Sequence, residues 1–218
     1  MSYNGKLIVL EGPDGSGKSY HTQKLHERLT GSWLACLPAD KKFIERVSKL
    51  DILHRSLAYN IDRALLVHEV LIPNLNKGKT VLCDRGPISN ITMLASEYIL
   101  HGNLTDRSSA ISTAMGYLNP LSCPWPADMT IIFGAEESIM AERIKSRGDS
   151  ASGIDNDDLL QRKLRYLYGH DFTGNGEIVR IDTSGDREKV ADELYKIVTD
   201  FINSPPLPDP LTPSDIPF

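Results

Sequence analysis

Three features of this 218-residue chain predict a parallel α/β fold. Apolar runs alternate with stretches of helical periodicity, the pattern of repeated βαβ units. Three of those runs are almost continuously apolar, as expected of strands covered on both faces. The first run, Leu7-Ile8-Val9-Leu10, leads into Gly12-Pro13-Asp14-Gly15-Ser16-Gly17-Lys18-Ser19, a G-x-x-x-x-G-K-S loop set between strand and helix. The expectation is a three-layer sandwich with a five-stranded parallel sheet, helices on both faces and a mobile lid.

Strands are predicted over 6–11, 33–37, 79–83, 129–134 and 177–182, with helices over 17–30, 40–53, 55–77, 88–101, 105–117, 136–147, 156–169 and 186–203. The helix over 55–77 carries Leu57, Ile61, Leu65, Val70, Leu71 and Leu75 on its apolar stripe and stops at Lys77-Gly78. The strand Thr80-Val81-Leu82-Cys83 closes on Asp84-Arg85. Residues 148–158 are small and polar and lie between two basic helix ends. They mark the lid, taken with its flanks as about 147–165. From Ser204 the chain changes character: the last fifteen residues hold six of its thirteen prolines. Proline cannot extend a helix or a strand ladder, so residues 1–203 form the expected domain and 204–218 an extended, disordered tail.

The loop is the strongest chemical signal and gives the fold its phosphate-loop (P-loop) NTPase type. Its glycines let successive N–H groups curl toward phosphate oxygens, and the helix that follows adds the positive end of its dipole. Gly12, Asp14, Gly15, Ser16, Gly17, Lys18 and Ser19 are therefore the expected ATP-binding set, to which Arg143 is added from the basic cluster further along the chain. Lys18 reaches the β- and γ-phosphates, and Ser19 contributes to a bound Mg²⁺.

Three further constellations each have a functional and a plainer reading. Asp84-Arg85 sits at a strand's carboxyl end, where α/β sheets bind ligands. Asp84 can hold Mg²⁺ and Arg85 can grip an anionic acceptor, or the two form a surface ion pair. Tyr59 and Arg63 stand four apart on a helix and share a face. They can stack a base and hold a phosphate, or be core plus salt bridge. Arg143, Lys145, Arg147, Arg162, Lys163 and Arg165 flank the lid, and can bring an arginine to the transferring phosphoryl group or form a solvated helix face.

Composition narrows the classes. Hydrophobic residues make up 40% and charged residues 24%, ordinary for a globular protein. No run reaches the length of a membrane span and no signal-peptide pattern opens the chain, so a cytoplasmic location is expected. Cys36, Cys83 and Cys123 make no disulfide or zinc pattern, and Cys36 and Cys83 are expected to be buried thiols. A net charge of −5 argues against broad nucleic-acid binding.

In this order the elements resemble the thymidylate kinase family of P-loop nucleoside monophosphate kinases, over about residues 5–202. The resemblance rests on residues 7–19, on Asn60-Ile61-Asp62-Arg63 with residues 72–79, on Val81-Leu82-Cys83-Asp84-Arg85, and on residues 127–133 leading to Glu142-Arg143-Ile144-Lys145-Ser146-Arg147-Gly148. It implies ATP in the loop, Asp14 facing the acceptor's sugar and phosphate, and Tyr59 stacking on the base. It further implies Arg63 reading base and phosphate, Arg85 gripping the acceptor phosphate, and a homodimer through helices near 55–77. Several family features are missing. Cys36-Leu37-Pro38-Ala39-Asp40 replaces Arg-Glu-Pro-Gly, Asp84-Arg85-Gly86 lacks the ring after the arginine, and no Tyr-Gln pair follows Ser89. The loop has no internal arginine, which leaves Arg147 and Arg162 as the catalytic candidates of the lid.

The expected function is ATP-dependent phosphorylation of a deoxynucleoside monophosphate, dTMP or a modified pyrimidine analogue. The alternatives are phosphorylation of a hydroxyl, on a nucleoside or on a hydroxymethylated base in DNA, with Asp84 or Glu11 as base, and a non-enzymatic nucleotide-binding switch. The tip Asp215-Ile216-Pro217-Phe218 resembles the C-terminus of bacterial single-stranded DNA-binding proteins. That likeness implies docking to replication or repair proteins through Phe218 and its carboxylate; the plainer reading is an uncommitted tail.

Overall fold

The structure, a computed structural model, describes residues 4–36, 41–102, 104–118, 127–146, 158–172 and 176–204. Five parallel strands form the sheet: β1 (Leu7–Glu11), β2 (Trp33–Cys36), β3 (Val81–Asp84), β4 (Met129–Gly134) and β5 (Glu177–Asp182), in the order β2-β3-β1-β4-β5. The helices are α1 (Lys18–Arg28), α2 (Lys41–Val47), α3 (Ile52–Leu66), α4 (Ile72–Asn76), α5 (Pro87–Leu100), α6 (Arg107–Leu118), α7 (Glu137–Lys145), α8 (Asp158–Tyr168) and α9 (Arg187–Asn203).

β1 lies at the centre of the sheet, and every one of its residues is buried. Its side chains alternate between two apolar layers. Ile8 and Leu10 pack with Leu25 of α1 and with Leu194 and Val198 of α9. Leu7 and Val9 pack with Val67, Leu71 and Leu75 on the opposite face. A third cluster joins α5, α6 and α8 to Ile132 of β4. Each fully buried Leu or Ile here contributes roughly 1.5–3 kcal/mol. The chain leaves β1 for α1 on one face and leaves β3 for α5 on the other, so a crevice opens at the carboxyl ends of these paired strands.

Some boundaries differ from expectation. The helix expected over 40–53 ends at Val47, because the Asp51 side chain accepts the His54 N–H at 3.1 Å and starts α3 afresh. The helix expected over 55–77 is one continuous rod of α3, a π turn over Val67–Leu71, and α4. Pro73 lacks an N–H for the carbonyl of Glu69, and the wider turn accommodates its ring. β3 begins two residues later than expected and ends one later, since the pairing with β1 and β2 runs from Val81 to Asp84, which is in register with Leu10 and Cys36. Cys83 is buried, but Cys36 is exposed, since β2 is an edge strand and Cys36 is its last residue. Cys123, residues 147–157 of the expected lid with Arg147, and residues 205–218 with Asp215, Ile216, Pro217 and Phe218 lie outside the described residues. Among the described residues no helix is long and apolar enough to cross a membrane.

Candidate active site

The glycine loop turns at the end of β1 and closes into α1. Gly15 and Gly17 have φ of 79° and 77°, in the left-handed region, and Gly17 caps α1. A Cβ on Gly15 would stand 2.5 Å from the Met140 carbonyl oxygen, so the loop also needs the missing side chain. Ser16 is fully buried, and its Oγ has no hydrogen-bond partner among the described residues. A buried hydroxyl beside inward-curling amides suits a phosphate oxygen.

Lys18, in the first turn of α1, is buried and ion-paired through Nζ to Asp84 Oδ1. Burial depresses its pKa, and nearby Arg85 adds to this against the pull of Asp84 and Glu11. Ser19 is exposed on the same turn. Among the described residues no group of three or more His, Cys, Asp or Glu side chains forms a metal cluster. The Ser19 hydroxyl and the Asp84 carboxylate supply oxygen donors, which suit Mg²⁺ because it draws most of its shell from water and phosphate.

Arg85 follows Asp84 directly and reaches across the crevice, with Nη2 2.8 Å from Asp14 Oδ1. Its φ of 74° makes it the one non-glycine among the described residues with positive φ. Its side chain is 33% exposed, which leaves the guanidinium open to a ligand. Burial opposes its charge, but Asp14, with Tyr168, Asp84 and Glu11, raises its pKa above the usual arginine value. Asp14 Oδ2 also accepts from Gln161 Nε2 of α8 at 3.3 Å.

Tyr59 is half-buried on α3, with its ring 6.0 Å from that of Phe43. One turn on, Arg63 is 4% exposed and donates to Asn60 Oδ1. Asn90 of α5 donates to the same oxygen at 3.0 Å and to the Ser56 carbonyl at 2.8 Å, while Asn60 donates to the Leu118 carbonyl at 3.1 Å. A guanidinium and two amides thus meet on Asn60, one turn along α3 from a half-buried aromatic ring, residue types able to stack and read a planar base.

The lid-flanking arginines occupy two places. Arg143 lies behind the loop, where it donates to the Gly15 carbonyl at 3.2 Å and to Thr183 Oγ1 and O at 3.1 and 2.8 Å. Arg162 is exposed on α8 and turned to Asp158 and Glu137, at 3.0 and 3.6 Å. Arg165 pairs with Glu137 at 2.8 Å. Both arginines line a cavity of about 820 Å³ between Pro13 and the first turn of α7.

Sequence reasoning gave no part in the site to Ser89, Asn90, Gln161 or Tyr168, and offered Glu11 only as a base. Glu11 is in fact fully buried and accepts from Gly86 N at 2.9 Å, Ser89 N at 3.2 Å, Ser89 Oγ, and Tyr168 OH at 3.3 Å. Its one sequence signal is an acidic residue ending an otherwise apolar strand.

A match to the thymidylate kinase family spans residues 10–194. The probable thymidylate kinase of Archaeoglobus fulgidus is 30% identical over 210 residues, covering 90% of this chain and 96% of that protein. The thymidylate kinase of Mycoplasmoides gallisepticum is 25% identical, covering 92% and 97%. Among solved structures, a thymidylate kinase from Candida albicans aligns with a TM-score of 0.71 at 21% identity, over 92% of this chain and 93% of that one, and so shares the fold. With a glycine loop facing an arginine across the strand ends, and with these relatives over nearly its whole length, the chain belongs to the thymidylate kinase family of nucleotide phosphotransferases.

Proposed function

We propose that the protein transfers the γ-phosphoryl group of ATP to the phosphate of dTMP, giving ADP and dTDP. The observation that carries this reading is the Arg85–Asp14 pair at the mouth of the loop that holds Lys18. It sets a guanidinium for a second phosphate opposite the site for the first. An oxygen of the dTMP phosphate attacks the γ-phosphorus, the bond to the β,γ-bridging oxygen breaks, and ADP leaves. Lys18 and Arg85 stabilise charge on the equatorial oxygens, and the loop amides hold the donor in line. Mg²⁺, held through Ser19 and Asp84, would neutralise charge on the donor phosphates when bound. The attacking phosphate is already an anion and needs little help from a base.

Other roles follow on the same reading. Tyr59 stacks on thymine, and Arg63, held by Asn60, reads its edge. Asp14 faces the sugar and phosphate. Arg143 acts on ATP through the loop it braces, while Arg147 and Arg162 are the lid arginines offered to the γ-phosphoryl group. Residues 1–203 constitute the kinase domain and 204–218 a separate tail. Exposed Ile61 and Leu65, four residues apart on α3, support a homodimer through that helix. Free Cys36 and Cys83 support a reducing, cytoplasmic setting. A hydroxyl acceptor is disfavoured, because on this reading Asp84 is committed to Mg²⁺ and Glu11 is engaged by four neutral donors, so neither carboxylate is free to act as base.

The test is product analysis with ATP, Mg²⁺ and dTMP, thymidine or hydroxymethylated DNA as acceptor. Equal amounts of dTDP and ADP with dTMP are expected; turnover confined to the hydroxyl acceptors would overturn the reading. For the tail, the proposal is docking of Asp215-Ile216-Pro217-Phe218 on a replication or repair protein, with the Phe218 side chain in an apolar pocket and its carboxylate at a basic lip. Unchanged capture of such proteins after deletion of Pro217 and Phe218 would sink it.

A further inference from the structure

We infer that Glu11 is the positioning residue for Arg85: without touching either nucleotide, it holds the acceptor arginine in its left-handed backbone conformation. The inference rests on the reading of Arg85 as the acceptor's phosphate clamp.

Arg85 occupies a conformation that an L-residue with a long side chain rarely adopts, and such a conformation persists only where its surroundings over-determine it. Both peptides flanking it are pinned to successive residues of β1. The Arg85 N–H donates to the Leu10 carbonyl at 2.9 Å, and the Gly86 N–H donates to Glu11 Oε1 at 2.9 Å. The first bond continues the β1–β3 ladder. The second depends on one side chain.

Glu11 also sets the guanidinium. The Ser89 hydroxyl donates to Glu11 Oε2, which leaves a lone pair on Ser89 Oγ toward Arg85 Nη1 at 3.5 Å. Tyr168 of α8 closes the group, with its OH 3.3 Å from Glu11 Oε2 and 2.9 Å from Ser89 Oγ. The carboxylate thus gathers the open amides at the start of α5, the hydroxyl beside Arg85 and the end of α8, one residue before the phosphate loop begins. Its position gives a physical reason for a fully buried carboxylate whose hydrogen-bond donors are all neutral, an arrangement that costs stability on its own.

The test compares Glu11→Ala, Glu11→Gln and Ser89→Ala, alone and in an Arg85→Ala background. For Glu11→Ala, KM for dTMP is expected to rise between about 10- and 100-fold, since a misplaced clamp acts on the acceptor, while KM for ATP stays within about twofold. Glu11→Gln keeps an oxygen for the two amides and is expected to recover most of the loss. Ser89→Ala is expected to give the same split more weakly, and it carries the test should Glu11→Ala fail to fold. In the Arg85→Ala background both changes are expected to lose their effect on dTMP. Equal rises in the two KM values, or a full effect without Arg85, would overturn the inference. A wild-type enzyme inactive on dTMP would instead refute the acceptor assignment. In that case crystal structures of Glu11→Ala or Ser89→Ala still decide the point: an Arg85 that keeps both its positive φ and its contact with Asp14 overturns the inference.

Discussion

Arg85 Nη2 stands 2.8 Å from Asp14 Oδ1, and this ion pair joins the end of β3 to the phosphate loop. Two separate properties of Arg85 meet there, a guanidinium and a left-handed backbone. Comparing Arg85→Ala with Arg85→Gly separates them. Both are expected to lower kcat/KM for dTMP about 10²- to 10³-fold, as for loss of a donor to developing charge. Glycine tolerates positive φ, so Arg85→Gly is expected to be roughly 1 kcal/mol more stable than Arg85→Ala. Steady-state kinetics and chemical denaturation check the two halves independently.

Tyr59 presents a half-buried ring on α3, the ring proposed to stack on the acceptor's base. Tyr59→Ala is expected to raise KM for dTMP by an amount matching roughly 1–3 kcal/mol of base stacking, whereas Tyr59→Phe keeps the ring and stays near wild type. KM for ATP should not change in either variant. A Tyr59→Phe defect as large as that of Tyr59→Ala would transfer the role from ring to hydroxyl.

Arg143 ties the Gly15 carbonyl to Thr183. Arg143→Ala is expected to leave these carbonyls short of a donor, costing about 1–3 kcal/mol of stability. It should also weaken ATP binding with little change in KM for dTMP, and calorimetric titration of each nucleotide reads the difference.

His21 lies buried beneath the loop, its ring stacked on Phe133 with centroids 5.9 Å apart and Nδ1 without a hydrogen-bond partner among the described residues. Burial lowers its pKa below 6.5, and the charges of Arg143 and Arg187 add to this while Glu188 opposes it. A base whose folded-state pKa is depressed binds fewer protons when folded than when unfolded. Its contribution therefore holds above pH 6.5 and is lost as pH falls toward the folded-state pKa. Relative to His21→Phe, the wild type should lose stability from about pH 6.5 downward. A difference that stays flat between pH 5 and pH 8 on denaturant titration would contradict this.

The fold was legible where burial is two-sided. β1 and β4 read as strands because both faces are covered, and the loop declared itself through its spacing and its place between strand and helix. Cys36 misled because an apolar run does not reveal which strand lies at the sheet edge. Asp51 was the signal for a second helix start, yet its capping role shows only when its carboxylate meets the His54 N–H. The surroundings of Arg85 were less legible. Glu11, Ser89 and Tyr168 come together from β1, α5 and α8, and nothing in their local sequence announces the meeting. The conformation of Arg85 is likewise imposed by tertiary contacts, since Asp-Arg-Gly-Pro does not require positive φ at its arginine.

The most direct measurement is the affinity of a bisubstrate compound joining adenosine to thymidine through an oligophosphate chain. If the donor loop and Arg85 face each other across one crevice, it should bind at least about 100-fold more tightly than ATP or dTMP alone, because one molecule then fills two sites. Arg85→Ala should remove most of that gain. Binding no tighter than that of ATP, or unaffected by loss of Arg85, would contradict a shared crevice.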